Sequence, residues 1–131
     1  MKVCVVAAAV VAALGLASAG TVASAQSDWL KQLEADCNKG DAQACSNLGS
    51  QLYMVSNPRQ PEKARAAYEK GCALKQNLAS TVACANLYMM LELGEGGPRD
   101  PARAQALKPK ACNTGLISLD VYLKSKGVCR K

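Results

Sequence analysis

The sequence contains no histidine and no phenylalanine, and it has a single tryptophan. Without histidine, a zinc ion lacks its commonest catalytic ligand, and a serine or cysteine nucleophile lacks its commonest base. No two cysteines have the C-x-x-C spacing, so the usual dithiol redox motif is also missing. We therefore expect no catalytic residue, no metal site and no cofactor.

Large apolar side chains are scarce as well. Beyond residue 25 the chain has 13 leucines, four valines, one isoleucine and three methionines, beside 14 alanines. A small domain with so little core material usually needs cross-links to be stable. Alanine has the highest helix propensity and its small side chain lets helices pack closely. The composition therefore predicts an all-α chain with covalently linked corners.

The first 25 residues have the layout of a secretory signal peptide. Lys2 is followed by an apolar run at 3–16, and the small residues Ala23-Ser24-Ala25 precede Gln26. This order predicts cleavage near Ala25–Gln26 and a periplasmic or secreted protein. The apolar run is too short to span a bilayer comfortably, so we expect no stable membrane insertion. A retained anchor or a buried helix is the alternative interpretation.

Residues 26–131 would then form one domain. Removal of Lys2 leaves 15 lysines and arginines against 10 acidic residues, and removal of Cys4 leaves six of the seven cysteines. In an exported protein, an even number of cysteines usually means disulfides. We expect a basic, disulfide-linked monomer.

The chain repeats itself at an interval of 39 to 40 residues. The recurrences are Asn47-Leu48 at Asn86-Leu87, Cys45 at Cys84, the PEKA of 61–64 as the PARA of 101–104, and Cys72 at Cys112. Repeats of this length are typical of stacked helix pairs, which bury their apolar faces only against neighbouring units.

Each unit is predicted to contain two helices. In the first unit Asp41 is placed to cap a helix in which Ala44, Leu48 and Leu52 share one face, and Ser56-Asn57-Pro58 ends it. The expected elements are a cap helix at 28–38, started by Ser27-Asp28-Trp29 and stopped by Gly40, then repeats at 41–73 and 79–113, and a terminal helix at 116–124.

Three stretches carry a family resemblance: GDAQACSNLGSQLY at 40–53, PEKARAAYEKGC at 61–72 and LELGEGGPRDPARA at 91–104. They resemble the SEL-one-like repeat, a relative of the tetratricopeptide repeat, and the cysteines resemble the Hcp-type secreted bacterial branch of that family. The resemblance covers residues 30–116. It implies a short α-solenoid of stacked antiparallel helix pairs.

The sequence departs from that family pattern in three places. The glycine that usually follows Asn-Leu is Tyr88 in the second unit. The interval from Cys72 to Cys84 is twelve residues rather than eight, so QNLA at 76–79 is interpreted as a loop insertion. The last unit lacks the Asn-Leu-Gly signature, and its cysteine is displaced to Cys129.

The stretch CNKGDAQAC places Cys37 at the end of one predicted helix and Cys45 in the first turn of the next. Facing cysteines across such a corner can reach the Cα separation of about 4.4–6.8 Å that a disulfide needs. Cys72 and Cys84 repeat the arrangement at the next corner. Cys112 and Cys129 pair by elimination, with Gly127 helping the tail to fold back.

The resemblance implies a non-catalytic scaffold that binds a protein or a peptide on a concave surface lined by the first helix of each pair. By periodicity that surface would include Asn47, Gln51, Tyr53, Asn86, Met89 and Met90. The alternative for the two methionines is a place in the core. Some cysteine-rich relatives are described as penicillin-binding or weak β-lactamases, yet no S-x-x-K motif follows residue 25. A periplasmic immunity or inhibitor protein is the second alternative.

Charged residues cluster in two regions. The basic cluster is Lys108, Lys110, Lys124, Lys126, Arg130 and Lys131. It is interpreted as a solvated face, with an acidic protein or an anionic envelope surface as the alternative, and no nucleic-acid partner is expected. Glu92, Glu95 and Asp100 are interpreted as solvated loop groups rather than a carboxylate cluster.

Overall fold

A computed structural model describes residues 18–129, and that part of the chain is all-helical, without a strand. The predicted all-α class is therefore confirmed. The helices are α1 (Ser18–Asn38), α2 (Ala42–Ser50), α3 (Pro61–Ala73), α4 (Leu78–Leu93), α5 (Pro101–Leu107) and α6 (Ile117–Ser125). A π-helical turn, Gln51–Val55, extends α2, and a 3₁₀ turn, Lys108–Lys110, extends α5. Among residues 18–129, no helix is long and apolar enough to cross a membrane.

Helix α1 starts ten residues earlier than the predicted cap helix. The expected N-cap at 27–29 is wrong because these residues lie inside the helix. No proline or glycine occurs between Gly20 and Gly40, so nothing in the sequence breaks the helix there. Most of the predicted signal segment, residues 1–17, lies outside the described residues, and cleavage near Ala25–Gln26 stays a prediction.

The predicted corner between α1 and α2 is confirmed. Gly40 has a φ of +94°, in the left-handed region that glycine enters without a Cβ penalty. The side chain of Asp41 accepts hydrogen bonds from the backbone N–H groups of Gln43 (2.8 Å) and Ala44 (3.0 Å). These bonds satisfy two donors that an uncapped helix would leave unpaired.

Helix α4 starts before the position predicted from the repeat. Asn77 and Ser80 form a reciprocal capping box, with both hydrogen bonds at 2.8 Å, so the helix begins at Leu78. The stretch QNLA is therefore only partly a loop. Its asparagine caps the helix, and its leucine and alanine form the first turn.

Helix α5 is shorter than the predicted helix that continues to Cys112. Asp100 caps it, and Pro101 occupies the first helical position. The α-helix ends at Leu107 because Pro109 has no N–H to donate to the carbonyl four residues before it. The chain therefore tightens into the 3₁₀ turn Lys108–Lys110.

Small residues let the helices pack closely. Each of the first five helices packs on its neighbours in sequence, and α2 also packs on α4. A Cβ atom at Gly71 of α3 would lie 2.9 Å from that of Ala83 and 3.0 Å from that of Cys45. The core also includes Tyr68, Leu87, Leu91 and Leu123, all nearly inaccessible to solvent.

Three disulfides link the corners, in the same pairs that the sequence analysis gives: Cys37–Cys45, Cys72–Cys84 and Cys112–Cys129. Their Cα separations are 4.5, 4.6 and 5.6 Å. Disulfides form and persist in oxidising compartments, so they indicate an extracellular or periplasmic environment.

Helix α6 lies within one residue of the predicted terminal helix. Asp120 fixes its start by accepting hydrogen bonds from the backbone N–H (2.9 Å) and hydroxyl (2.6 Å) of Thr114. Leu123 anchors the helix in the core. Gly127, with a φ of +67°, turns the chain back towards Cys112, as the sequence predicted.

Candidate functional site

The six residues predicted to face a partner do not all contribute to one surface. Tyr53, Asn86, Met89 and Met90 line a single cavity, and Asn47 and Gln51 lie outside its lining. Met90 is 3% exposed and Asn86 is 8% exposed, so both offer a partner little surface. Met90 is a core side chain because α4 packs against α2, α3 and α5 at once. Tyr53 and Met89 remain half-buried.

The cavity has a volume of about 90 Å³ and mostly apolar walls. We call it the apolar pocket, and its walls include Tyr53, Met54, Tyr68, Met89 and Leu93. Met54 is 65% exposed and Leu93 is 63% exposed. Large apolar side chains exposed beside a concave surface are typical of interaction sites.

Two helix ends form the apolar pocket. The π-helical turn after α2 contributes Tyr53 and Met54, and π turns are frequent at functional sites. Helix α4 contributes Leu93, its last residue, before Gly94 leaves the helix with a φ of +72°. Because both helices end here, no further helical turn covers Met54 and Leu93, and these apolar side chains are left at the surface.

An arginine and a glutamate border the apolar pocket. The guanidinium of Arg59 lies 4.3 Å from the centre of the Tyr53 ring, within the range of a cation–π interaction. One of its nitrogens is 3.7 Å from Oε2 of Glu95, which also lines the pocket. That distance is too long for a hydrogen bond, and this buried oxygen has no hydrogen-bond partner among the described residues. The Glu95 side chain is 34% exposed, so the predicted solvated loop group is half-buried, with one carboxylate oxygen shielded from solvent.

A second cavity adjoins the apolar pocket. It has a volume of about 380 Å³, and Met89 and Leu93 line both cavities. We call it the basic pocket, and its other lining residues are Tyr88, Glu92, Arg99, Gln105, Lys108, Tyr122 and Lys126. Helix α4 supplies Tyr88 and Glu92, while Tyr122 and Lys126 come from α6 and the residue that caps it. The two pockets lie side by side along α4 with Met89 and Leu93 as their common wall, and we call this surface the groove along α4.

Glu92 is held by its neighbours in the basic pocket. The Arg99 guanidinium lies 3.7 Å from its carboxylate and also donates a hydrogen bond of 2.6 Å to its backbone carbonyl. Gln105 donates a side-chain hydrogen bond to the other carboxylate oxygen at 3.3 Å. The alternative of a carboxylate cluster is wrong, because Glu92 pairs with Arg99, Glu95 faces Arg59 and Asp100 caps α5.

The Tyr88 side chain forms the wall between the core and the basic pocket. Burial, and next the negative charge of Glu92, raise the pKa of its hydroxyl above the ordinary value of 10.0. The phenol is therefore neutral at physiological pH and can exchange hydrogen bonds without contributing charge. The Lys126 ammonium lies 5.8 Å from the centre of the neighbouring Tyr122 ring.

A third cavity of about 310 Å³ lies between α1, α2 and α3. It shares no lining residue with the other two. Its apolar floor consists of buried core side chains such as Leu48 and Leu52, and its rim includes Lys31, Lys63 and Lys70. No strongly exposed apolar side chain lines it, so the groove along α4 is the better candidate site.

Sequence reasoning predicted part of this groove. Lys108 and Lys126 belong to the basic cluster, and Met89 to the predicted surface. Met54 and Leu93 were missed. Each lies just before helix-ending residues, Ser56-Asn57-Pro58 and Gly94 respectively, where the apolar face of a helix reaches the surface. Tyr122 was missed because nothing in the sequence shows how α6 is oriented towards α4.

No group of three or more acidic or cysteine side chains within residues 18–129 is arranged to hold a metal ion. The structure thus defines a small, disulfide-linked, all-helical domain with a surface groove that is apolar at one end and basic at the other. A comparison of the chain with protein-family models, curated proteins and solved structures gave no significant match.

Proposed function

We propose that this protein is an exported, non-catalytic scaffold that binds a protein or peptide segment in the groove along α4. The observation that carries this proposal is that two pockets lie side by side along α4 and share Met89 and Leu93 as a common wall. Adjacent pockets with exposed apolar side chains and convergent polar groups are typical of binding sites.

The helix contacts support a solenoid-like architecture of SEL-one-like repeats as part of this proposal. Helices pack on their sequence neighbours, and α2 also packs on α4, as the first helices of adjacent stacked pairs would do. In such an arrangement these two helices line the concave side. The apolar pocket, which lies between the π turn after α2 and helix α4, supports this arrangement.

Export with a cleaved signal peptide completes the proposal. An oxidising environment suits the three disulfides, and the predicted cleavage removes Cys4, which leaves six cysteines for three bonds. The mass of the purified exported protein tests this part. A chain that starts at Gln26 is expected, and a retained residue 1–25 segment would contradict it.

Site-specific photo-crosslinking tests the binding function. A photoreactive amino acid at position 54 should give a defined adduct in cells, whereas the same amino acid at the exposed position 75 should not. The partner, once identified and purified, should bind the wild-type protein saturably. Leu93→Glu should weaken that binding about tenfold or more, because it places a carboxylate against the apolar pocket.

Leu78→Glu is the matched control. Leu78 and Leu93 are the first and last residues of α4 and are 61% and 63% exposed, but only Leu93 lines the groove. Equal effects of the two substitutions, or adducts from both crosslinker positions, would contradict the site. Saturable turnover of a chromogenic β-lactam by the purified protein would contradict the non-catalytic assignment. If the captured partner is a toxin, the immunity interpretation would apply.

A further inference from the structure

The basic pocket carries an uncompensated positive charge. Of its four charged side chains, Glu92 and Arg99 form an ion pair with each other. Lys108 and Lys126 have no ion pair with any residue of the described part of the chain. Two ammonium groups without a carboxylate partner therefore border one concave surface.

Glu92, the acidic residue that lines this pocket, cannot readily turn towards the two lysines. The Glu92 carboxylate accepts a hydrogen bond from Gln105 and lies beside Arg99, whose guanidinium also binds the Glu92 backbone. Moving this carboxylate would break a set of mutually supporting contacts on α4, α5 and the loop between them. The two lysines thus remain available to an external anion.

The apolar pocket adjoins this charge directly, because Met89 and Leu93 form walls of both cavities. Its volume of about 90 Å³ is small, and its walls are mostly methionine, leucine and tyrosine side chains, with Asn86 and Glu95 as the polar members. Methionine-rich walls adapt to different apolar side chains. A bound chain would therefore place an apolar side chain in one pocket and a negative charge in the next.

We propose that the groove binds a protein segment in which an aspartate or glutamate lies a few residues from a large apolar side chain. This inference rests on the proposed binding function and specifies the partner. The apolar side chain enters the pocket of Tyr53, Met89 and Leu93. The carboxylate lies between Lys108 and Lys126, so that charge complementarity fixes the direction of the segment.

A protein segment suits the groove better than the two other common polyanions. A flat anionic membrane cannot enter a concave surface whose walls come from α4, α5 and α6. Proteins that bind single-stranded nucleic acid combine a basic groove with exposed aromatic faces on which successive bases stack. Of the two tyrosines in the basic pocket, Tyr88 is only 7% exposed, so its ring offers no such face. Tyr122, at 38% exposed, is then the single aromatic face in that pocket.

Selection from a displayed library of random short peptides tests the inference. The disulfide-bonded wild-type protein should enrich peptides that combine an acidic residue with leucine, methionine or an aromatic residue. The enriched peptides should bind about tenfold more weakly to Lys108→Glu/Lys126→Glu, because reversal of two charges turns two attractions into repulsions. Their affinity should also fall as the salt concentration rises.

Lys75→Glu/Lys110→Glu is the matched control, since it changes the net charge equally at exposed lysines outside the groove. It should bind the enriched peptides like the wild type. Enrichment of apolar peptides without acidic residues would overturn the inference while leaving the binding function intact. Enrichment of no peptide at all would overturn the proposed function in this groove. If a thymidine oligonucleotide or anionic lipid vesicles bind as tightly as the enriched peptides, the inference of a protein segment is overturned in favour of that other anion.

Discussion

The ring of Tyr68 on α3 lies directly against the backbone of Gly49 on α2, so that a Cβ atom at Gly49 would be 2.5 Å from Cε1 of the ring. Such a distance is well below van der Waals contact. Tyr68 is 1% exposed, and its hydroxyl lies 3.1 Å from that of Ser50, so the ring is held against the glycine. The packing of α2 on α3 thus depends on a glycine at this position.

We expect Gly49→Ala to lower the free energy of unfolding by about 1–3 kcal/mol, because a methyl group is forced into a close-packed contact. Chemical denaturation with the disulfides intact would measure the loss. In the background of Tyr68→Leu, which removes the ring, the same alanine should cost much less. A full-size loss in that background would show that the ring is not the cause.

Arg65 provides a second test of packing. Its Nη1 donates a hydrogen bond of 3.0 Å to the carbonyl of Pro98, and the residue is only 9% exposed. Arg65→Met keeps the long apolar stem but leaves that carbonyl without its donor. The expected loss is about 1–3 kcal/mol in the free energy of unfolding. Lys63→Met, two residues earlier and exposed, should change stability by less than about 0.5 kcal/mol.

The attachment of α6 should depend on pH. Hydrogen bonds from the Thr114 side chain and backbone hold the pKa of Asp120 below its ordinary value of 3.8. A carboxyl group with a lowered folded-state pKa stabilises the fold fully above its ordinary pKa, and this contribution is lost as the pH falls through the lowered value. Amide hydrogen exchange in residues 117–125 should therefore accelerate, relative to the intrinsic exchange rate, below about pH 4.

Asp120→Asn provides the control for that pH dependence. The amide can still accept a hydrogen bond but does not titrate, so the acid-induced step in residues 117–125 should disappear. Exchange in these residues should already be faster than in the wild type at neutral pH. An unchanged acid step in the variant would assign the effect to another group.

The disulfides should differ in what they stabilise. By the chain-entropy model, closing loops with sequence separations of 8, 12 and 17 contributes about 2.5–3 kcal/mol each. Replacing Cys72 and Cys84 by serine should lower the stability of the whole domain, because the bond joins two central helices. Replacing Cys112 and Cys129 should mainly release α6, which packs on the other helices less extensively than they pack on each other. Thermal denaturation and local hydrogen exchange would separate these outcomes.

Corners, caps and breaks were the predictable part of this fold, because single residues determine them. Asp41, Gly40 and the break before Pro58 follow from local rules that tertiary contacts did not override. The end of α5 is equally local, since Pro109 is visible in the sequence, but the repeat pattern predicts a helix that continues to Cys112. The start of α4 was missed for the same reason, because the family interval made the capping residue Asn77 look like an insertion.

The site was less predictable because it depends on contacts between distant segments. Met89 and Met90 are consecutive on one helix, and the helical period alone does not show which of the two faces the core. The loop after α4 folds over Arg65 and buries it, a contact that no local pattern around residue 65 indicates. The groove itself requires the positions of α4, α5 and α6 together, and no local pattern encodes those positions.

The contact between Gly49 and Tyr68 has a counterpart one repeat later. The intervals of 39 and 40 residues place Tyr88 where the first unit has Gly49, and Lys108 where it has Tyr68. In the first unit a ring fills the space above a glycine, while in the second the two side chains line an open cavity. The equivalent positions of the two units thus differ in side-chain size, and the surface differs with them. One repeated backbone arrangement can therefore present either a close-packed contact or a recess, depending on which side chains it carries.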